Sequence, residues 1–241
     1  MEEIVLVGFG GHAKSVADCT ERGGKYHIAG YTEVKASSDR YRYWGTDDAL
    51  EAIFAGGITN AVVGIGYMGK GTIRQQLYRK LKDIGFNLPI IIDPSAVVSS
   101  SAIIDEGSFI GKGAVVNAEA NIGKMAIINT KALVEHECIV EDFAHVAVGA
   151  VLCGQVKVGE AAFIGANATI IQGLSVGCNT IIGANCTVLH DVEDNMKYYR
   201  IESTRGGGKY PTRIYLWIFV IPYWLKMRAG GVWHDENRLF W

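Results

Sequence analysis

The chain has 241 residues, of which 49% are hydrophobic and 20% are charged, and its net charge is −2. This amount of apolar material excludes a disordered chain, and the small net charge excludes the basic surface that nucleic-acid binding requires. The five cysteines form no CxxC pair and no zinc spacing, so we expect reduced thiols, a cytoplasmic location and no metal site. The expected partners are small molecules and further copies of the chain.

Residues 1–90 alternate between segments typical of strands and segments typical of helices. The pattern predicts strands over residues 4–7, 27–31 and 60–65, and helices that end near residue 22 and span residues 47–54 and 70–84. This alternation indicates a first domain with a small parallel α/β sheet of Rossmann-like type. The acidic residues Glu2 and Glu3 directly precede the first strand, which argues against a standard secretory leader.

Two glycine-rich turns follow strands of this predicted sheet. They are Gly8-Phe9-Gly10-Gly11-His12 and Gly64-Ile65-Gly66-Tyr67. Such turns can bring backbone N–H groups and a helix N-terminus to a phosphate at the carboxyl edge of an open sheet. The first turn lacks the third glycine of the dinucleotide fingerprint, so a strand-to-helix turn without a ligand stays open as the alternative. We favour phosphate binding.

From residue 92 to residue 192 the sequence repeats with a period of six. Neither a helix of about 3.6 residues per turn nor an alternating strand produces this period. Hexapeptides of this kind build a left-handed parallel β-helix, a triangular prism in which three short strands and three turns form one coil. We expect this second domain over residues 91–194. The aliphatic positions are Ile92, Val98, Ile104, Ile110, Val116, Ile122, Ile128, Val134, Val140, Val146, Leu152, Val158, Ile164, Ile170, Val176, Ile182 and Val188.

Small residues and glycines complete the repeat. The aliphatic side chain should point into the prism and stack on its equivalent in the next coil, while a small residue occupies the corner. Cys138 and Cys186 stand at such small-residue positions, which predicts packing and not a nucleophilic thiol. Glycine follows the aliphatic position in several units, where we expect it to supply turns with positive φ. These glycines are at positions 111, 123, 159, 165, 177 and 183.

Polar residues interrupt this apolar repeat at His136, between Glu135 and Glu137, and at His145. A histidine can accept a proton near neutral pH, and an adjacent carboxylate can hold its tautomer and stabilise the imidazolium. The alternative is that these groups only keep a surface turn soluble. His190, in the terminal coil, is predicted to be structural.

On these residues the chain resembles the sugar N-acetyltransferases of the bacillosamine (PglD-like) and perosamine type, and the related sialic acid (NeuD-like) O-acetyltransferases. The resemblance covers roughly residues 3–199 and rests on residues 8–14, the six-residue repeat, and residues 134–138 and 144–146. It implies an acetyl-CoA-dependent N-acetyltransferase acting on a nucleotide-linked amino sugar of the UDP-4-amino-4,6-dideoxy type. It also implies a homotrimer with acetyl-CoA between neighbouring prisms.

The resemblance further implies residue roles. His136 is the expected general base and Glu137 its orienting carboxylate, while His145 is expected to contact the thioester carbonyl. The backbone at Ala166 and Ala184 is expected to touch the pantetheine arm. The expected contacts of the nucleotide sugar are Gly10, Gly11, His12, Gly66, Tyr67 and, for the acceptor group, Asn129. Relatives commonly carry an Asp-Asp pair after the second strand; here the pair is Thr32-Glu33, through which a uracil or ribose contact is retained by Glu33.

Three other functions stay open on the sequence. A sialic-acid-type O-acetyltransferase would share every motif. A carbonic anhydrase of the γ type has the same prism but needs three histidine ligands, and this prism offers only His136, His145 and the remote His190. A non-catalytic scaffold would need neither the His-Glu pair nor a nucleotide-type domain.

We expect a C-terminal tail over residues 195–241. From residue 200 onwards it departs from the family, and four of the five tryptophans fall in that part. One interpretation is a helix that packs on the trimer, and another is a foreign tail produced by a frame shift or a fusion. A third is a membrane-surface anchor, because tryptophans and tyrosines are interleaved with Lys226 and Arg228. The apolar run 214–225 is too short to span a bilayer, which takes about 20 residues.

Overall fold

A three-stranded parallel sheet forms the first part of the fold. The computed structural model describes residues 1–67, 72–203 and 214–220, of which 200–203 and 214–220 by their backbone alone. In it β1 (Glu2–Val7) lies between β2 (Tyr26–Thr32) and β3 (Asn60–Val63). Residues 4–7 of β1 are fully buried, as expected for a central parallel strand covered on both faces. The predicted α/β sheet is confirmed, although its third strand ends at residue 63 and not at 65.

Three helices accompany this sheet: α1 (Gly11–Arg22), α2 (Leu50–Ala55) and α3 (Ile73–Ile84). The helix predicted over residues 47–54 is divided, because Asp47–Ala49 form a 3₁₀ turn before α2 begins. The hydroxyl of Thr46 accepts the Asp48 N–H and so caps that turn. Helix α3 ends at Gly85, whose φ of 110° closes it in a left-handed conformation. The predicted start of this helix at residue 70 lies outside the described residues.

The second part is a prism of two-residue strands, and the left-handed parallel β-helix is confirmed. Its three parallel faces each take every third strand. The first face contains β4 (Ile91–Ile92), β7 (Phe109–Ile110), β10 (Ile127–Ile128), β13 (His145–Val146), β16 (Phe163–Ile164) and β19 (Ile181–Ile182). The second contains β5 (Val97–Val98), β8 (Val115–Val116), β11 (Leu133–Val134), β14 (Val151–Leu152), β17 (Thr169–Ile170) and β20 (Thr187–Val188). The third contains β6 (Ile103–Ile104), β9 (Asn121–Ile122), β12 (Ile139–Val140), β15 (Lys157–Val158) and β18 (Ser175–Val176).

The interior of the prism is the predicted aliphatic stack. The second residue of each strand points inward, so that Ile128, Val146 and Ile164 are fully buried one above another. Small corner residues such as Ala144 and Ala162 are also fully buried. Cys138 and Cys186 occupy corner positions as predicted, and burial raises the pKa of the Cys138 thiol to about 11. Burial and the raised pKa both support the packing role predicted for this thiol.

The glycines after the aliphatic positions have a different role from the predicted one. None of the six takes a positive φ. A Cβ at Gly165 would instead lie 2.5 Å from the backbone nitrogen of Ala184, and one at Gly159 would lie 2.6 Å from that of Cys178. These glycines therefore allow successive coils to approach closely. From residue 107 onwards, positive φ occurs later in the corners, at other glycines such as Gly149 and at non-glycine residues such as Glu137.

The first face of the prism is covered by the first domain. Its outward row includes Phe109 and Ile127, which pack with residues of β1 and α1, and Phe163 and Ile181, which pack in one cluster with α3 residues such as Leu81. Both hydrophobic clusters therefore cross the expected boundary near residue 90. The glycine-rich turns of the first domain are thereby held against His145 in this row.

The prism ends in a hairpin. Strand β21 (Lys197–Ser203) pairs in parallel with β19 and antiparallel with β22 (Ile214–Val220). The helix considered for the C-terminal segment is therefore wrong for residues 214–220. The remaining tryptophans and the basic residues behind the anchor hypothesis lie outside the described residues. Within the described residues, no helix combines the length and hydropathy that crossing a membrane requires.

Candidate functional site

His136 lies at the exposed corner between the second and third faces, between β11 and β12. Its Nδ1 is 3.0 Å from Oε2 of Glu137. The pKa of this carboxyl is lowered, first by the bond with His136 and then by a bond with Gln155. An ionised carboxylate only accepts, so Nδ1 is the nitrogen that donates to it, and Nε2 is the acceptor in the matching neutral tautomer. The predicted His-Glu pair is thus assembled in the geometry of an oriented base.

Backbone contacts fix the ring further. The amide N–H of His136 donates to Oε2 of Glu135 (3.1 Å), which also accepts from Nδ2 of Asn117 (3.0 Å). The imidazole lies against Gly154, where a Cβ would be only 2.5 Å from Nε2. Sequence reasoning missed Gly154 and Gln155, although both are one coil after the His-Glu pair and the six-residue register places them there.

His145 is buried and both of its ring nitrogens are used. Nδ1 donates to the carbonyl of Tyr67, and Nε2 accepts from Nδ2 of Asn129 at 3.1 Å. The Asn129 amide is oriented because its oxygen accepts the N–H of Thr130. Burial, with a contribution from the Arg74 charge, lowers the pKa of His145 to about 4, so the ring is neutral. With both nitrogens used in these contacts, the His145 ring has no further N–H to donate to a thioester carbonyl. The expected contact of His145 with the thioester stays a prediction.

The two glycine-rich turns meet at His12. A Cβ on Gly66 would be 3.3 Å from Cβ of His12, and the His12 ring stacks edge-on against Phe109. Burial, His145 and Arg74 together lower the pKa of His12 to about 3. Gly10 and Gly11 are exposed with open space beside them, and no side chain among the described residues caps the N-terminus of α1. This turn leaves backbone N–H groups facing solvent.

The Thr32-Glu33 pair is engaged within the protein. Thr32 is fully buried, and its hydroxyl donates to Oδ1 of Asp47 at 2.6 Å. Its expected contact with a nucleotide stays a prediction. The Glu33 carboxylate accepts the N–H of Phe9 and that of Val34, both at 2.9 Å. Glu33 thus holds the glycine-rich turn. Asp47, which sequence reasoning missed, brings a second carboxylate to the end of β2 from the 3₁₀ turn before α2.

Arg74 is a further residue that sequence reasoning missed. It is 3% exposed, and its guanidinium donates to the carbonyls of Phe143 (3.2 Å) and Met125. Burial lowers its pKa to about 10, which leaves it charged at neutral pH. The spacing of Arg74 with the buried Leu77 and Leu81 marks it as a core-facing position of α3, a signal the sequence did contain.

The cofactor-side candidates lie on another corner. Ala166 and Ala184 are one coil apart between the first and second faces, in register with Thr130 and Val148. Within the described residues, the N–H groups of Val148, Ala166 and Ala184 in this row have no acceptor. The width of the second face separates them from His136 in the same chain. One chain therefore does not bring His136 together with His145 or Asn129.

Comparisons with known proteins identify the family. The model of the PglD N-terminal domain matches residues 3–81. A histidine-to-alanine form of GDP-perosamine N-acetyltransferase from Caulobacter crescentus, in complex with CoA and GDP-perosamine, is 33% identical with a TM-score of 0.78, over 89% of this chain and 97% of that one. The acetyltransferase domain of PglB from Neisseria gonorrhoeae is 30% identical with a TM-score of 0.78, over 89% and 100%. This chain belongs to the PglD-type sugar acetyltransferases.

Membership of this family confirms the acetyltransferase expected from the sequence. WeeI from Acinetobacter baumannii, which is 18% identical with a TM-score of 0.72 over 89% of this chain and 100% of that one, supports the fold alone. The order of the two domains, a PglD-type first domain followed by a β-helix prism, is the one that the resemblance predicts.

Proposed function

We propose that this chain transfers the acetyl group of acetyl-CoA to the amino group of a nucleotide-linked 4-amino-4,6-dideoxy sugar, UDP-linked in type, with His136 as general base. The observation that carries the proposal is the free Nε2 of His136, held at an exposed corner by the Glu137 carboxylate. The free cysteines suit the reducing cytoplasm, where we place this reaction.

In the proposed reaction His136 accepts the proton of the sugar amine at Nε2 as the nitrogen attacks the thioester carbonyl. Glu137 stabilises the imidazolium that forms. The C–S bond then breaks, and His136 returns the proton to the leaving thiolate. A positioned base contributes roughly 10²–10⁴-fold, and alignment of the two substrates contributes at least as much.

The ladder of free N–H groups at Val148, Ala166 and Ala184 supports a site for acetyl-CoA. Successive coils are about 4.8 Å apart, so these donors form a straight row along the prism. The pantetheine arm is extended and carries amide carbonyls that such donors can bind. In the preceding coil the equivalent N–H, that of Thr130, donates to the side-chain oxygen of Asn129. The row of free donors therefore ends beside Asn129.

The second face supports a homotrimer in which the site forms between chains. The first four residues of its outward row are apolar yet not fully covered: Val97 is 64% exposed, and Leu133 and Val151 are half-buried. The row ends in Thr169 and Thr187. His136 borders this face on one side, and the N–H ladder borders it on the other. A second chain packed against it can bring the base of one prism to the cofactor row and first domain of its neighbour.

The first domain supports the acceptor site. The uncapped N-terminus of α1 at Gly10 and Gly11 suits a diphosphate, and it lies beside His12 and the turn at Gly66-Tyr67. The carboxylates of Glu33 and Asp47 at the end of β2 stand where sheets of this type contact a ribose or base.

Ligand-dependent stability and acetyl transfer test the proposal together. UDP-, GDP- and dTDP-linked 4-amino sugars are added with acetyl-CoA, and the true acceptor raises Tm because it binds the native state. Transfer is then measured with amino and hydroxyl acceptors, for the native chain and for His136→Ala. We expect amide formation, reduced at least about a hundredfold in kcat by the substitution. Transfer to hydroxyl acceptors alone, or near-full activity of His136→Ala, would overturn it.

A further inference from the structure

Gln155 lies directly above Glu137, on the next coil of the prism. The two are 18 residues apart, and the amide Nε2 of Gln155 donates to Oε2 of Glu137 at 3.1 Å. The same oxygen accepts Nδ1–H of His136 at 3.0 Å. The backbone N–H of Gln155 also donates to the carbonyl of His136. Two side-chain donors from two coils therefore converge on a single carboxylate oxygen.

We propose that Gln155 is a positioning residue for acetyl transfer, acting through Glu137 to keep His136 in the tautomer whose Nε2 can accept a proton. This inference rests on the proposed function, in which His136 is the base. Gln155 has no role in any expectation from the sequence or from the family comparisons.

The chemical need for such a residue follows from the exposure of the site. The side chains of His136 and Glu137 are 47% and 49% exposed, so water competes for the carboxylate and for both ring nitrogens. An exposed glutamate samples several rotamers, and each departure frees Nδ1 to exchange its proton with Nε2. A second donor from the neighbouring coil reduces that sampling. The hydrogen bond from Gln155 thus holds the exposed Glu137 carboxylate in the position where it accepts from His136.

Glutamine is suited to this position because it donates without carrying charge. A lysine or arginine would neutralise the carboxylate that must stabilise the imidazolium, and a glutamate would repel it. Two other acidic groups lie around the pair: Glu135, which is bound to the His136 and Asn117 nitrogens, and Glu119, one coil before Glu137. Neither donates to Glu137, so Gln155 supplies the second donor to its oxygen.

The test compares Gln155→Leu with Gln172→Leu, a matched change at an exposed glutamine of the next coil on the same corner. We expect Gln155→Leu to lower kcat about three- to tenfold, as for loss of one hydrogen bond, with KM values changed less than about twofold. Gln172→Leu should leave both unchanged. In a Glu137→Ala background, Gln155→Leu should have no further effect on kcat, because its action passes through the missing carboxylate.

Nitrogen-15 NMR of the histidine rings supplies a readout independent of turnover, with His136 assigned by its loss in His136→Asn. The Nδ1–H tautomer should dominate in the native chain, and the Nε2–H tautomer should become populated in Gln155→Leu. An unchanged tautomer, or an equal kcat loss in the Glu137→Ala background, overturns the inference. If the native chain transfers no acetyl group, the proposed function fails, while the tautomer measurement still decides the role of Gln155.

Discussion

The imidazole of His136 rests on the backbone of Gly154, one coil further along the prism. A methyl group at position 154 would come within 2.5 Å of Nε2, the atom proposed to accept the proton. The φ of Gly154 is not positive, so alanine fits the backbone there and only the ring must move. Gly154→Ala should therefore fold normally but lose at least about tenfold in kcat.

Steady-state kinetics with a thermal melt would measure this effect. The matched control is Gly23→Ala at the end of α1, where a Cβ meets its nearest atoms at an ordinary 3.5 Å. Equal kcat for Gly154→Ala and the native chain would contradict the assignment of the base to this corner.

The buried histidine His145 predicts a pH dependence of stability. Its pKa is about 4 in the folded chain and about 6.5 when unfolded, so between these values only the unfolded chain binds the proton. Above pH 6.5 the ring therefore has no effect on how the free energy of unfolding depends on pH. As the pH decreases below 6.5, the free energy of unfolding falls by at most about 1.4 kcal/mol per pH unit because of this group. His12 acts in the same direction.

Urea unfolding between pH 7.5 and 5 measures this slope. Carboxylates with lowered pKa values, such as Asp93, titrate below this window and do not contribute. His145→Gln, which keeps an N–H donor for the Tyr67 carbonyl, should lose about half of the slope. A slope unchanged by the substitution would show that His145 is not held neutral.

The guanidinium of Arg74 connects α3 to two successive coils at one corner of the prism. Arg74→Met leaves the carbonyls of Met125 and Phe143 without their donor inside the interface, and we expect a loss of about 2–4 kcal/mol in the free energy of unfolding. Lysine should not restore it, because one ammonium cannot reproduce the planar fork. Arg79→Ala, at an exposed position of the same helix, should change stability by less than about 0.5 kcal/mol in the same denaturation experiment. Comparable losses in the two variants would argue against the connection.

Glu33 predicts an effect on acceptor binding. Its carboxylate accepts the N–H groups of Phe9 and Val34, so Glu33→Ala frees the glycine-rich turn and should raise the acceptor KM about fivefold or more. The acetyl-CoA KM and kcat should stay near native, because the base lies on the prism. Glu51→Ala, at an exposed position of α2, serves as control in the same kinetic measurement. A rise in KM for acetyl-CoA alone would contradict this assignment.

The prism was predictable because its determinants are local in sequence. Each coil repeats the same interior contact, so the buried stack of Ile128, Val146 and Ile164 is visible in the sequence as a period of six. The His136-Glu137 bond joins adjacent residues and was predictable for the same reason. The role of the glycines after the aliphatic positions was not predictable. Glycine is favoured both where coils approach closely and where a turn is left-handed, so the sequence does not distinguish the two.

Contacts across the two domains were beyond the sequence. The bonds from Arg74 to Phe143 and from His145 to Tyr67 join residues that are 69 and 78 positions apart. Their existence depends on how the first domain docks on the first face, and no periodicity encodes that docking. The bond between Asp47 and Thr32 lies within the first domain, but no sequence pattern pairs the 3₁₀ turn with the end of β2.

The left-handed corners of the prism differ along its length in how much strain they store. The later corners use asparagine, which tolerates positive φ, at positions 167, 179, 185 and 195. Four of the middle corners instead have Met125, Glu137, Phe143 and Gln155, which do not favour positive φ. Met125 and Phe143 pack against the first domain, and Glu137 and Gln155 hold the base. At these four corners the backbone is strained, and the side chain makes a contact that asparagine could not make. Asparagine there would relieve the strain but would remove the contact with the first domain or with the base.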